Sequence, residues 1–99
     1  MAILKGVVRL SDKCSGHKCY HPRPNIQAST NVFVNNRGVH RQSDKWQKHR
    51  CGPSSHASIL AAGSQFIYVN NLQMARRKDP VKCGSKCLES SANVFGGKE

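Results

Sequence analysis

Five cysteines (Cys14, Cys19, Cys51, Cys83, Cys87) and five histidines (His17, His21, His40, His49, His56) are where this 99-residue chain has chemistry to offer. Most of them interleave in three stretches, at 14–21, 49–56 and 83–87. Thiolate sulfur and imidazole nitrogen are the donors zinc prefers, and imidazole suits iron as well. The N-terminal MAILKGVVRL is apolar but short and interrupted by Lys5 and Arg9, so it does not read as a signal peptide. Folding in a cytosol is therefore expected. An odd number of cysteines in a reducing compartment favours metal binding over disulfides. Cys14-x2-His17-x-Cys19 and Cys83-x3-Cys87 invite comparison with a zinc ribbon, but neither contains a C-x2-C pair. The acidic residues are Asp12, Asp44, Asp79, Glu89 and Glu99, and the three aspartates occupy repeated positions. No nucleophile, base and orienting acid can be assembled from this set, so the chain reads as a non-enzyme.

The elements that must position these donors are repeats. Ser29 to Asp44, STNVFVNNRGVHRQSD, recurs without gaps from Ser64 to Asp79 as SQFIYVNNLQMARRKD. In each copy a strand-like run meets Asn-Asn, a second short run follows, and Arg-x-x-Asp closes the unit. Asparagine tolerates the positive φ of a type I′ turn, so each copy is expected to be a two-residue β-hairpin. Half copies stand at the two ends, GVVRLSD at 6–12 and SANVFGG at 91–97. Together they make a third unit split between the termini. The expectation is a single all-β domain over 1–99 with three hairpin repeats and pseudo-threefold symmetry. Loops at 13–28, 45–63 and 80–90 separate the repeats and carry the Cys and His residues. Pro22-Arg23-Pro24 excludes a regular central element from the first loop. In the second, Ser58 to Ala62 is too short before Gly63 for a stable helix. Arg9, Arg41 and Arg76 read as partners of Asp12, Asp44 and Asp79. Trp46 reads as a core or interface anchor rather than a stacking platform. The aromatics of the repeated strands read as core, and His21 and His40 as surface residues.

Net charge narrows the partners. Sixteen basic residues against five acidic ones give +11 in a chain only 37% hydrophobic, a balance that favours a polyanionic partner. No apolar run approaches the roughly 20 residues of a membrane-spanning helix. So small a domain often needs a metal, disulfides or a partner to hold it together.

The pattern resembles the PAAR-repeat family, the conical proteins that tip the spikes of contractile phage tails and type VI secretion machines. NVFVN (31–35), its echo IYVNN (67–71), the Arg-x-x-Asp closures, DPVKCG (79–84) and HRCGPSSH (49–56) carry the likeness. The start of the first loop, Ser15-Gly16-His17, and the His-x-Cys-Gly-Pro-x-x-His of the second place it nearest the phage baseplate branch. The Pro-Ala-Ala-Arg signature stands here as Gly38-Val39-His40-Arg41 and Gln73-Met74-Ala75-Arg76. The resemblance implies one metal ion near a narrow vertex, held by three histidines and one cysteine. His17 and His49 each lie five residues after an aspartate, Cys83 lies four after Asp79, and His56 follows the Gly52-Pro53 turn. These four are the expected ligands, with zinc first and iron the alternative. Cys14, Cys19, Cys51 and Cys87 are then small buried or half-buried residues beneath the tip.

The implied function is mechanical: a virion protein at the baseplate spike tip, made in the host cytoplasm. It would cap a trimeric β-helical spike, one copy per trimer, and help puncture the target envelope. The +11 charge adds a transient contact with an anionic outer membrane. No small-molecule substrate is expected, and the lack of sequence beyond Glu99 argues against a carried effector domain. The rival reading is a basic, zinc-stabilised nucleic-acid-binding module, whose affinity would fall steeply with salt.

Overall fold

A computed structural model describes residues 4–98. Eight short strands occur among them: β1 (Leu4–Gly6), β2 (Phe33–Val34), β3 (Arg37–Gly38), β4 (Lys45–Cys51), β5 (Ser54–Ile59), β6 (Tyr68–Val69), β7 (Leu72–Gln73) and β8 (Phe95–Lys98). They pair as four antiparallel ribbons, and no helix occurs among the described residues. None is therefore long and apolar enough to cross a membrane.

Both Asn-Asn hairpins form as the sequence implies. In β2–β3, Val34 pairs with Arg37 across Asn35 and Asn36, whose φ angles are 53° and 64°. In β6–β7, Val69 pairs with Leu72 across Asn70 and Asn71, at 53° and 66°. Positive φ at both central residues is the type I′ geometry, which matches the twist of the flanking strands. The third ribbon joins β1 to β8, with Leu4 opposite Lys98 and Gly6 opposite Phe95. The split third unit is thus closed across the chain ends. Ahead of each hairpin a buried serine, Ser29, Ser64 or Ser91, accepts hydrogen bonds at its hydroxyl from two backbone amides just downstream.

The three units interlock through their backbones. The Val8 amide donates to the Ala75 carbonyl at 3.0 Å, Ala75 to His40 at 2.9 Å, and His40 to Val8 at 3.0 Å. This closed ring makes an internal threefold axis. Beyond it, each Arg-x-x-Asp segment forms the same turn. The aspartate amide donates to the arginine carbonyl at 3.0 Å in all three. The residue before each aspartate, Ser11, Ser43 or Lys78, sits at φ 73°, 74° or 75°. The arginine clamps the buried carboxylate through its amide, Nε and a terminal nitrogen, as for Arg41 on Asp44 at 2.9, 2.9 and 3.0 Å. Charge-assisted, bidentate bonds of this kind are the strong ones. The sequence expectation for these three pairs holds.

Apolar packing divides on either side of the ring. Val7, Val39, Val69 and Met74, with Val34 against them, fill the hairpin side. Val8, Cys14, Trp46, Leu60, Ala75, Val81 and Cys87, with Cys83 against them, fill the loop side. Trp46 is 1% exposed, so it is a core anchor and offers no stacking face to a ligand. Gly38 lies so close to the neighbouring chain that a Cβ there would collide with the Ser29 carbonyl oxygen.

Three sequence expectations are corrected. Residues 45–63 are not a loop: β4 and β5 form the longest hairpin of the chain. The turn is Gly52-Pro53, with Gly52 at φ 61° in the first position, as a type II′ turn requires. Its strands are polar and mostly exposed, with burial concentrated at Trp46 and His49, so period-two hydrophobicity does not reveal them. His40 is not a surface residue but fully buried. It occupies the axial ring position that Val8 and Ala75 fill in the other units. Lastly, the hairpin aromatics are not core. Phe33, Tyr68 and Phe95 are 58%, 55% and 46% exposed, and Phe66 is 89% exposed.

Candidate metal centre

Three chain segments converge on the loop side, each placed by local structure. His17 sits in a tight turn, with its amide and carbonyl both bonded to Tyr20 at 3.1 and 2.8 Å. His49 and His56 are directly opposite each other on β4 and β5, which is why one segment can supply two donors. Cys83 follows Val81 in a turn closed by the Gly84 amide donating to the Val81 carbonyl at 2.9 Å.

The four side chains expected from the sequence meet. One donor atom from each of His17, His49, His56 and Cys83 lies within 4.8 Å of the others. The Nε2 atoms of His49 and His56 are 2.7 Å apart, and those of His17 and His56 are 3.0 Å apart. His49 Nδ1 faces the His21 carbonyl at 2.8 Å. A carbonyl only accepts, so Nδ1 carries the proton and Nε2 presents its lone pair to the cluster. Burial, opposed by the bond to His21, holds His49 below its ordinary imidazole pKa. His17 is lowered too, by desolvation and then by the charges of His56, Arg23 and Lys18. Three imidazoles crowding their nitrogens together with a thiol form a donor set that can hold a metal ion. Three nitrogens and one sulfur suit a closed, tetrahedral zinc site. The imidazoles would accept iron as well.

Other candidates fall elsewhere. His21 is exposed and contributes only its carbonyl, while His40 lies on the axis, away from the cluster. Cys14 and Cys87 are buried beneath the site, as expected. Burial pushes the Cys87 thiol strongly upward. For Cys14, burial pushes up, but hydrogen bonds led by that of the Arg23 backbone outweigh it and the pKa falls below its ordinary value. Cys19 and Cys51 overturn the sequence reading. They are not free thiols but are joined in a disulfide with Cα atoms 5.3 Å apart, with Cys51 half-buried and Cys19 exposed. Each stands two residues after a donor histidine, in His17-x-Cys19 and His49-x-Cys51. Convergence of those histidines brings the cysteines within bridging range. The odd fifth cysteine is thereby accounted for: one pair is bonded, and three thiols stay free.

Two contributors escaped the sequence reading. The Tyr20 ring lies 4.8, 4.9 and 4.2 Å from the rings of His17, His49 and His56, covering all three imidazoles. An aromatic inside a Cys/His-rich loop was the available signal. Arg23 is buried beneath the cluster, between two prolines that gave it the look of an ordinary loop residue.

Against protein-family models, the sequence matches the PAAR motif over residues 15–89, well over half of the chain. The chain belongs to the PAAR-motif family. The matched span begins just before His17, ends just after Cys87 and contains all four clustered donors. The split third hairpin, β1 with β8, lies outside the matched span and completes the PAAR fold here. PAAR proteins are structural spike tips of the phage and type VI puncturing apparatus, which associate with a spike protein. No curated protein matches the sequence.

Proposed function

We propose that this PAAR protein, as one domain over 1–99, caps a trimeric β-helical spike in a contractile phage tail, one copy per trimer. The observation that carries the reading is the apolar face of the hairpins. Val32, Ile67 and Val94 stand at equivalent positions and are 38%, 39% and 37% exposed. Phe33, Tyr68 and Phe95, the next residue in each unit, are nearly equally exposed. Exposed apolar residues repeated three times about an axis suit a partner with its own threefold end. One subunit can then make similar contacts with three chains.

At the other side, His17, His49, His56 and Cys83 bind one metal ion in this reading, zinc before iron. The ion would tie three segments together where little apolar volume is available, so its binding free energy would add to folding stability. The three repeated aspartates are buried in arginine clamps, whereas Lys13, Lys18, Lys82 and Lys86 on the loops and Lys48 and Arg50 on β4 are exposed. The exposed surface on this side is thus basic. That charge supports a transient approach to an anionic outer membrane once the tip meets the target cell.

The test mixes the full chain with the C-terminal part of a spike trimer and weighs the complex by sedimentation. One chain per trimer is expected, and Phe33→Ser should abolish it while changing stability by no more than about 0.5 kcal/mol. Absence of a complex, together with salt-sensitive binding to DNA or RNA, would transfer the protein to the nucleic-acid class.

A further inference from the structure

Arg23 is 3% exposed, yet no carboxylate pairs with it among the described residues. Arg9, Arg41 and Arg76 each clamp an aspartate. The Arg23 guanidinium instead donates from Nε to the Gln47 carbonyl at 2.6 Å. One terminal nitrogen reaches Cys14 Sγ at 3.0 Å, and the other reaches Cys83 Sγ at 3.6 Å. Its plane lies over the Trp46 ring, 5.2 Å from the centroid. A buried cation without a counter-charge is strongly unfavourable. Two of its three hydrogen bonds reach sulfur, and one of those sulfurs belongs to the donor cluster. A metal-bound cysteine is a thiolate by necessity.

The backbone around Arg23 is set for this contact. Pro22 and Pro24 fix φ on either side, and the Cys14 amide donates to the Arg23 carbonyl at 3.0 Å. The side chain is thus directed inward at the base of the cluster before any ion arrives. Its two contacts also separate the thiols: Cys14 is fully buried outside the donor group, whereas Cys83 is within it.

We propose that Arg23 is a positioning residue for the metal centre, its hydrogen bonds holding the Cys83 sulfur toward the three imidazoles and keeping Cys14 out of the coordination sphere. The proposal rests on the metal-site reading above. It opposes a simpler electrostatic expectation: a guanidinium beside a divalent cation repels it, so a merely structural arginine would weaken metal binding. The sign of the change on removing Arg23 therefore decides.

The full chain is loaded with Co²⁺, whose thiolate-to-metal charge-transfer band reports the bound sulfur. Affinity is measured by competition with a chelator. Arg23→Met should bind Co²⁺ and Zn²⁺ about 10–100-fold more weakly, the usual effect of losing an outer partner of a ligand. Its band should move to lower energy, because the sulfur loses a hydrogen bond that stabilised its lone pairs. Arg23→Lys, which keeps the charge and one donor, should recover part of both effects. Unchanged or tighter binding by Arg23→Met with the band in place overturns the proposal. If Arg23→Met does not fold, an unshifted band in Arg23→Lys overturns it equally. Failure of the underlying reading looks different: the wild-type chain itself would bind no stoichiometric Co²⁺ or show no thiolate band, and the proposal falls with it.

Discussion

Acid should destabilise this protein through His40. Burial drives its pKa from 6.5 down to about 4, and the bond to the Gln27 carbonyl and the charge of Asp44 only partly oppose this. Its Nδ1 lies 2.7 Å from that carbonyl, and its Nε2 meets no partner among the described residues. Above pH 6.5 the residue is neutral both folded and unfolded, and stability is unaffected. Below it the unfolded chain takes up a proton that the folded chain refuses, so stability falls as pH drops toward 4. The slope is about 1.4 kcal/mol per pH unit for one proton, which gives about 2.5 kcal/mol between pH 7.5 and 4.5. Urea unfolding at both pH values, on wild type and His40→Val, measures this directly. Valine already occupies the equivalent ring position at Val8. The other histidines are common to both proteins, so the difference between them isolates His40. Wild type should lose about 2.5 kcal/mol more than the variant over this interval. Equal losses would refute a neutral, buried His40.

Four further outcomes follow from the site and the fold. His49→Ala and Cys83→Ser should each lose bound metal by elemental analysis and melt lower than wild type, and a chelator should bring wild type to the same level; equal metal content would remove the ligand assignment. Gly38→Ala must displace the Ser29 carbonyl and should cost roughly 1–3 kcal/mol in chemical unfolding. Thiol titration of the denatured, unreduced chain should find three reactive thiols, Cys14, Cys83 and Cys87. Reducing the Cys19–Cys51 bond, which spans 32 residues, should cost about 4 kcal/mol by loop entropy.

The repeat made much of this molecule legible in the sequence. Asn35-Asn36 and Asn70-Asn71 announce their turns because few other residues accept positive φ. Arg-x-x-Asp marks the same clamp three times, and positions five, five and four residues after the aspartates, with the family resemblance, pointed to His17, His49 and Cys83. What stayed hidden depends on contacts between units. A two-residue strand has too few positions to show which face is wet, so Phe33, Tyr68 and Phe95 passed for core. His40 looks like any polar strand residue until the ring places it on the axis. The polar strands of β4 and β5 lack an alternating signal, although their cross-strand register is what brings His49 to His56. Cys19 and Cys51 became neighbours only through that convergence.

The third hairpin differs from the other two in one respect with mechanical consequences. β2–β3 and β6–β7 are each joined by a covalent turn, but β1 and β8 come from opposite ends of the chain and are joined to each other by their ladder without a covalent turn. A tensile load drawing the termini apart would peel that ribbon one rung at a time, with no peptide link to arrest it. A compressive load along the axis meets no such seam. It is shared by three equivalent clamps and a closed backbone ring, so no single contact takes the whole thrust. The same architecture therefore yields more readily to a pull that separates the chain ends than to a push along the axis.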